Sequence, residues 1–321
     1  MIQAIFLITI GFGLLIFGAD LLVRGSSNIA KRFKIPEMII GLTIVAIGTS
    51  MPELMITISS AHKGATDLII GNAIGSNLCN LLFILSITAM LRPIKLEPDV
   101  KVIHLPVAYI STFAILAMGI GIWGSEPGVI NQNDGKILIG LYLIYFIYPI
   151  FIEIKDILKE RKEDKKHHIK PEISMIRSIL YIVIGVVFLK FGGDLVVDES
   201  SELALIFGIS ERVIGLTIVA IGTALPEMIT SIIAIVKEEG GLAVGNLIGS
   251  CILNSFLILG TGAIIMPLAF SKEFIDNLVL LLGITLFIWI SCFVGKKDTI
   301  TRYKAGVLLV TYTVYIMRLF V

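Results

Sequence analysis

The stretch GLTIVAIGTSMPE, residues 41–53, indicates the fold class and raises the question of function. It reads as apolar sequence for a membrane interior, yet it ends in Pro52, which breaks helical hydrogen bonding, and in the ionisable Glu53. The same pattern returns at residues 215–227 as GLTIVAIGTALPE. This repetition predicts a polar site of duplicated design inside a hydrophobic surrounding.

The composition predicts an integral membrane protein with the lipid bilayer as its surroundings. Apolar residues make up 56% of the 321 residues and charged residues only 16%, and the mean hydropathy is +0.95. Soluble domains carry about 25% charged residues. The net charge of +1 gives no indication of a nucleic-acid partner.

Ten apolar windows are long enough for membrane helices, since a bilayer core needs about 20 residues per helix. The alternating pattern of a membrane β-barrel is absent from them. We therefore expect an all-α protein with ten transmembrane helices, at residues 3–23, 37–61, 67–91, 102–123, 136–157, 175–196, 212–236, 241–265, 274–294 and 303–320.

The chain contains an internal duplication with a constant offset of 174 residues. Across residues 41–54 and 215–228, 11 of 14 residues are identical, and GNAIGSNLCN (71–80) matches GNLIGSCILN (245–254) without a gap. Each copy holds five spans, an odd number, so the second copy crosses the membrane in the opposite direction. Inverted repeats of this kind are typical of secondary transporters, whose ion sites lie where the repeats meet.

This duplication predicts the domain organisation. We expect two five-helix repeats of inverted topology joined by a short charged loop, which is too short to hold a regulatory domain. The first repeat covers residues 1–154 with its motif at 41–80, the loop covers 155–174, and the second repeat covers 175–321 with its motif at 215–254.

The distribution of Lys and Arg predicts the orientation, because these residues concentrate in cytoplasmic connections. Of the 26 Lys and Arg residues, 20 lie near the connections after spans 1, 3, 5, 7 and 9, five lie on the other side, and Lys190 lies within span 6. We therefore predict a cytoplasmic loop 155–174 and two extracellular termini. The expected location is the plasma membrane.

The chemistry of the duplicated motif favours a cation site. Glu53 and Glu227 lie well inside apolar windows, where an ionised carboxylate costs about 2.5–3.5 kcal/mol. The interiors of spans 2, 3, 7 and 8 contain no Lys or Arg to pair with them. The two glutamates are therefore either protonated or hold a metal ion, and two carboxylates balance one divalent charge.

Neutral oxygen donors accompany both carboxylates. The prolines free main-chain carbonyl groups, and polar side chains at a spacing of four share a helix face in spans 3 and 8. Such hard donors suit Ca²⁺, which takes 6–8 oxygens, and the motif lacks the His and Cys that zinc or copper would favour. The hydroxyl and amide donors are Thr49, Ser50, Thr223, Ser76, Asn80, Ser250 and Asn254.

GTSMPE and GTALPE, each followed by GNxIGS, resemble the paired repeats of the calcium/cation antiporters, in particular the prokaryotic sodium/calcium exchangers. The resemblance covers essentially the whole chain. It implies exchange of three Na⁺ for one Ca²⁺ by a monomer through alternating access, with spans 1 and 6 sliding past the rest, and with no cofactor and no enzymatic activity. The implied ligands are Glu53 and Glu227 at the centre, with Thr49, Thr223, Ser50, Ser76, Ser250, Asn80, Asn254 and the carbonyl groups of Ala46 and Ala220 around them.

Two positions depart from the family pattern. Ala224 stands where such exchangers usually have a serine, the counterpart of Ser50, so one sodium site and the stoichiometry are open. Asn254 stands where potassium-dependent members carry an aspartate, which weighs against K⁺ transport. A proton/calcium antiporter of the same fold therefore remains an alternative. A cation channel is a less favoured one.

Overall fold

The computed structural model describes residues 2–122, 127–160, 173–207, 220–295 and 297–319. The start of the second motif, residues 215–219, and most of the charged loop 155–174 lie outside the described residues. The helices in chain order are α1 (Ile2–Phe33), α2 (Glu37–Thr49), α3 (Met51–His62), α4 (Thr66–Leu91), α5 (Val100–Gly119), α6 (Gln132–Glu160), α7 (Met175–Ile206), α8 (Ala220–Thr223), α9 (Leu225–Val236), α10 (Gly240–Ile265), α11 (Lys272–Ser291) and α12 (Arg302–Leu319).

Within these ranges, six helices are long and apolar enough to cross a membrane: α1, α4, α5, α7, α10 and α11. The bent pair α2 and α3 makes a seventh span if it is counted as one. The protein is therefore a mostly helical membrane protein. The predicted spans 136–157 and 303–320 correspond to the further helices α6 and α12. The predicted span 212–236 begins outside the described residues and continues as α8 and α9.

The two prolines interrupt their helices as the sequence predicts. The axes of α2 and α3 differ by 45°, and the break lies at Ser50, whose φ and ψ are −88° and 11°. Ala224 separates α8 from α9 with almost the same angles, −88° and 3°. Pro52 and Pro226 then lie in the first turn of the following helix, where a missing N–H costs nothing. Both motifs therefore turn the chain at equivalent residues.

In the described part of the chain, wide π-helical turns occur inside four helices, and the sequence did not predict them. Two lie at equivalent places, Cys79–Ile84 in α4 and Asn254–Ile258 in α10. The others are Gly41–Val45 in α2 and Val100–His104 in α5. Such turns are frequent at functional sites, and here they contain Asn80 and Asn254.

Helices α1 and α7 pack against each other through small residues and run in opposite directions. A Cβ atom added at Gly18 would lie 2.9 Å from the Gly185 carbonyl oxygen, and one at Gly192 would lie 2.8 Å from the Gly11 carbonyl oxygen. The offset of 174 converts one of these contacts into the other. This pair of helices is peripheral, since only 33% and 28% of their apolar windows are buried, against 94% for α10.

Two short antiparallel strand pairs cap the helices, a correction to the all-α prediction. Strand β1 (Ile94–Lys95) pairs with β4 (Thr299–Ile300), and β2 (Val129–Ile130) pairs with β3 (Leu268–Ala269). Each strand has only two residues, so periodicity could not reveal it. β1 and β3 are equivalent at the offset of 174, while their partners β4 and β2 are 170 residues apart.

Candidate functional site

The breaks at Ser50 and Ala224 position the two carboxylates. Glu53 lies in the first turn of α3 and Glu227 in the first turn of α9, and each is only 1% exposed. A helix start carries unpaired N–H groups and a positive dipole end, which favour a negative side chain there. Each broken helix therefore presents a carboxylate in the interior of the protein at the same point of its motif.

A close approach of α2 and α10 brings the two halves of the site together. A Cβ atom added at Gly41 would lie 2.5 Å from the Leu242 carbonyl oxygen, and one at Gly245 would lie 2.3 Å from the Met38 carbonyl oxygen. Only glycine permits this main-chain contact. It places the polar residues of α10 directly against the bend of α2.

The Glu227 carboxylate is held by two hydroxyl groups from different helices. Ser50 donates a hydrogen bond to Glu227 Oε1 at 2.8 Å, and Ser250 Oγ lies 3.4 Å from the same oxygen. The Ser50 and Ser250 hydroxyl oxygens are 2.9 Å apart. One residue of the first motif and two of the second thus form a single cluster.

The Glu53 carboxylate lies within electrostatic range of Glu227, with Ser76 beside it. Among the described residues, no ion pair involves either glutamate. One basic neighbour would offset one of the two negative charges. The described part of the chain provides no such ion pair, so the two acids lie within electrostatic range of each other without a fixed counter-charge.

An asparagine lies close to the main chain at each of the two helix breaks. Asn72 Nδ2 lies 3.4 Å from the Glu53 carbonyl oxygen, and Asn246 Nδ2 lies 3.4 Å from the Glu227 carbonyl oxygen. Asn246 also accepts a hydrogen bond from Thr49 at 2.9 Å and donates one to Ser231 at 3.1 Å. Both asparagines therefore join helices, and their amide groups are engaged in that role.

Nine buried side-chain oxygen atoms in the described residues have no hydrogen-bond partner, and four of them belong to predicted site residues: Glu53 Oε2, Glu227 Oε2, Asn80 Oδ1 and Asn254 Oδ1. Leaving such a group unpaired costs about 1–3 kcal/mol, and more for a charged group. All four are acceptors, so bound cations would compensate them where no donor of the described residues does. The four belong to two residue pairs related by the offset of 174.

Asn77 helps to determine which way the Asn254 amide points. Asn254 Nδ2 donates to Asn77 Oδ1 at 3.1 Å, while Asn77 Nδ2 lies 3.2 Å from the Cys251 carbonyl oxygen and 3.0 Å from Ser255 Oγ. The sequence analysis did not select Asn77 or Ser255. The duplication could not reveal Asn77, because its counterpart is Cys251.

The remaining predicted site residues lie along the same breaks. The Ala46 carbonyl oxygen accepts from the Ser50 N–H at 3.0 Å and lies 3.4 Å from Thr49 Oγ1. Ala220 begins α8, and Thr223 ends it. Within the described ranges, no three His, Cys, Asp or Glu side chains form a metal-binding group. A bound cation would therefore depend on two carboxylates and neutral oxygens.

A cavity of about 500 Å³ leads from one surface to the second break. Its walls come from α3, α4, α7, α8 and α9, and its lining residues include Lys63, Asp194, Asp198, Thr223 and Pro226. Solvent can therefore approach the α8–α9 break from this side.

Comparison with known proteins gives concordant matches. The family model described as Sodium/calcium exchanger protein matches residues 3–151 and 177–321. The putative antiporter CaxA of Alkalimonas amylolytica is 32% identical, over 100% of this chain and 99% of that protein. The sodium/calcium exchanger MaX1 of Methanosarcina acetivorans is 30% identical, over 100% and 99%. The solved structure of the sodium-calcium exchanger NCX_Mj, soaked with zero Na⁺ and Ca²⁺, superposes with a TM-score of 0.83 at 29% identity and covers 99% of both chains.

Proposed function

The chain belongs to the sodium/calcium exchanger protein family, and on this premise we propose that it exchanges Ca²⁺ for Na⁺ by alternating access. It is a membrane antiporter and not an enzyme. Ca²⁺ and Na⁺ are its proposed substrates, it needs no cofactor, and a monomer is sufficient for transport.

The observation that carries this proposal is the group of four unpartnered buried oxygens. Two carboxylate oxygens and two amide oxygens are acceptors without donors, and they come from both motifs. Oxygen ligands suit Ca²⁺, and two carboxylates balance its two positive charges. The proposed ligands are Glu53 and Glu227, joined by Thr49, Thr223, Ser50, Ser76, Ser250, Asn80, Asn254 and the carbonyl groups of Ala46 and Ala220.

We further propose the architecture of ten spans in two inverted repeats, residues 1–154 and 175–321, on either side of the loop 155–174. Contacts that recur at the offset of 174 support it: the two glycine contacts between α1 and α7, and the contacts of Asn72 and Asn246 with the Glu53 and Glu227 carbonyl groups. The Lys and Arg distribution supports a plasma-membrane orientation with both termini outside.

Coupling follows from shared ligands. Ca²⁺ and Na⁺ claim overlapping oxygens, so they cannot fully occupy the site together. A site without cations leaves two desolvated carboxylates uncompensated, so its passage between the two access states is disfavoured. Exchange of three Na⁺ for one Ca²⁺ would move one net charge, worth about 2.3 kcal/mol per 100 mV.

One observation favours a second candidate, H⁺/Ca²⁺ exchange on the same fold. Ala224 is 1% exposed and supplies no hydroxyl at the position equivalent to Ser50, so one half of the site offers fewer oxygens to Na⁺. Protonation of a carboxylate could then take the place of a sodium ion.

The test is Ca²⁺ uptake into proteoliposomes that contain the purified chain. We expect uptake when the liposomes are loaded with Na⁺ and diluted into Na⁺-free medium at constant pH. A pH gradient in the absence of Na⁺ should drive far less uptake. Uptake that follows the pH gradient alone would replace Na⁺ with H⁺ as the counter-ion, and no uptake in either case would reject antiport.

A further inference from the structure

Two acidic and two basic residues outside the candidate site are related by the same offset of 174. Asp20 corresponds to Asp194, and Lys63 corresponds to Lys237. The turns that carry the lysines have the same backbone form: Gly64 has a φ of +74° and Glu238, its counterpart, a φ of +66°.

The main-chain hydrogen bonds that close these two turns also match. The Ala65 N–H donates to the Ser60 carbonyl oxygen at 3.0 Å, and the Glu239 N–H donates to the Ala234 carbonyl oxygen at 2.8 Å. The two lysines therefore start from equivalent backbone positions. A difference in their contacts must come from the helices they face.

On the first surface, which we call the Asp20 face, α1 is tied to the turn between α9 and α10. Lys237 forms an ion pair with Asp20, and its Nζ also lies 3.5 Å from the Asp20 carbonyl oxygen. Lys31 pairs with Glu239 at 3.1 Å, and Ser27 donates to Glu239 at 2.7 Å. This face is closed by contacts between segments about 210 residues apart in sequence.

Glu239 is well suited to these contacts. Burial opposes its ionised form, but hydrogen bonds with Glu37, Ser27 and Lys31 outweigh burial and hold the pKa of Glu239 below its ordinary value. Glu239 therefore carries a negative charge toward Lys31 near neutral pH.

On the opposite surface, the Asp194 face, the corresponding contact is not made. Asp194 pairs with Lys190 of its own helix at 2.6 Å, and no ion pair in the described part of the chain joins it to Lys63. Lys63 and Asp194 both line the cavity of about 500 Å³ between α3 and α7. The molecule is thus closed at Asp20–Lys237 and open at the equivalent pair.

We propose that the pairs Asp20–Lys237 and Lys63–Asp194 are the two halves of an alternating latch, of which one forms when the other opens. The inference rests on the proposed function, since it requires two access states. Helices α1 and α7 pack closely through glycines, so movement of α7 toward α3 carries α1 away from α9. Exchanging the conformations of the two repeats converts the Asp20–Lys237 contact into Lys63–Asp194.

The partial exposure of the ion pair fits this role. The side chains of Lys237 and Asp20 are each 25% exposed. Exposed ion pairs contribute little to stability, which suits a contact that forms and breaks in every cycle. Each aspartate also has a basic partner on its own helix: Lys190 pairs with Asp194 at 2.6 Å, and Arg24 pairs with Asp20 at 2.9 Å. These partners can hold the aspartate while the latch on its face is open.

Disulfide cross-linking tests the proposal directly. We expect the double variant Lys63→Cys, Asp194→Cys to form a disulfide in proteoliposomes during exchange. Ca²⁺ uptake should then fall to about a tenth of its starting rate or less, and a reductant should restore it. Asp20→Cys with Lys237→Cys should also cross-link. Ser59→Cys, in the cavity wall, is added to each double variant as a reporter. It should react with an impermeant maleimide when residues 20 and 237 are cross-linked, and it should not react when residues 63 and 194 are cross-linked.

The controls separate the latch from the function. Each single cysteine variant reports background reaction, and the native Cys79, Cys251 and Cys292 are buried. If the wild-type chain exchanges Ca²⁺ and Lys63→Cys never cross-links to Asp194→Cys, the latch is wrong. If the wild-type chain does not exchange Ca²⁺, the proposed function is wrong, while the two cross-link yields still show whether both contacts form.

A charge reversal provides an independent test. Lys63→Asp places like charges opposite each other in the closed state of the Asp194 face and should slow exchange about tenfold. Combination with Asp194→Lys should restore most of the rate. Lys272→Asp, at an exposed helix start, is the matched control and should leave the rate unchanged. Failure of the double variant to recover would overturn the latch.

Discussion

Glu227 and Glu53 hold equivalent places in the two motifs, but their surroundings differ. Ser50 donates to Glu227 Oε1 at 2.8 Å, while Ala224, the counterpart of Ser50, has no hydroxyl to offer to Glu53. Backbone angles at the two break positions are almost the same, so the difference lies in the side chains alone. The duplicated backbone positions equivalent residues alike, and single substitutions then decide which oxygens each half presents.

Loss of either carboxylate should have the largest effect on Ca²⁺ exchange. It tests whether both halves contribute a carboxylate to the same site. We expect Glu53→Gln and Glu227→Gln each to lower Ca²⁺ exchange by about 100-fold or more, because one negative charge is too few for a divalent ion in a buried site. Proteoliposome uptake of Ca²⁺ measures it. Glu273→Gln, at an exposed position in α11, should be unchanged.

Near-normal exchange by either glutamine variant would remove the central assumption of a site shared between the halves. Binding of Ca²⁺ to the detergent-solubilised protein gives a second measurement. It should fail in both variants, which separates loss of the ligand from slower movement between states.

The next largest effect concerns Glu227, the carboxylate that accepts a hydrogen bond from Ser50. Ser50→Ala removes a hydrogen bond to a charged group, worth about 1.5–3 kcal/mol, so we expect the apparent affinity for the transported ions to fall about tenfold or more. Ser59→Ala, in the cavity wall, is the control and should have no effect. Equal behaviour of the two variants would mean that the Ser50 hydroxyl is not part of the site.

The opposite change should make the halves alike. Ala224→Ser supplies the missing hydroxyl in a buried position, and we expect the apparent affinity for Na⁺ to rise several-fold while that for Ca²⁺ changes less. The measurement is the Na⁺ dependence of Ca²⁺ release from loaded proteoliposomes. Ala263→Ser in α10, also buried, controls for the effect of a new polar group. An unchanged Na⁺ dependence would show that the asymmetry at Ala224 does not govern Na⁺ binding.

Much of this comparison could be read from the sequence, because the offset of 174 identifies equivalent residues without any structure. It predicted the breaks before Glu53 and Glu227 and the missing hydroxyl at Ala224. The offset cannot show which way helices face. The role of Asn77 was missed because its counterpart is Cys251, and the ion pair of Asp20 with Lys237 was missed because no local spacing links such distant residues.

The wide helical turns and the short strands were missed for different physical reasons. A π-helical turn such as Asn254–Ile258 changes the hydrogen-bond register without changing the apolar character of a span. A strand of two residues, such as Ile94–Lys95, is shorter than one period of alternation. Both features depend on packing between distant segments, which composition and periodicity do not record.

The smallest expected effect compares the contributions of two equivalent asparagines, Asn72 and Asn246, to the stability of the fold. Asn246 joins Thr49, Ser231 and the Glu227 carbonyl, while Asn72 has one such bond, at 3.4 Å from the Glu53 carbonyl oxygen. Each buried hydrogen bond contributes about 0.5–1.5 kcal/mol, so Asn246→Ala should lower the unfolding temperature in detergent by more than Asn72→Ala does. An equal decrease in unfolding temperature would mean that the two asparagines stabilise the fold equally. The asymmetry of the site would then be confined to its hydroxyl groups.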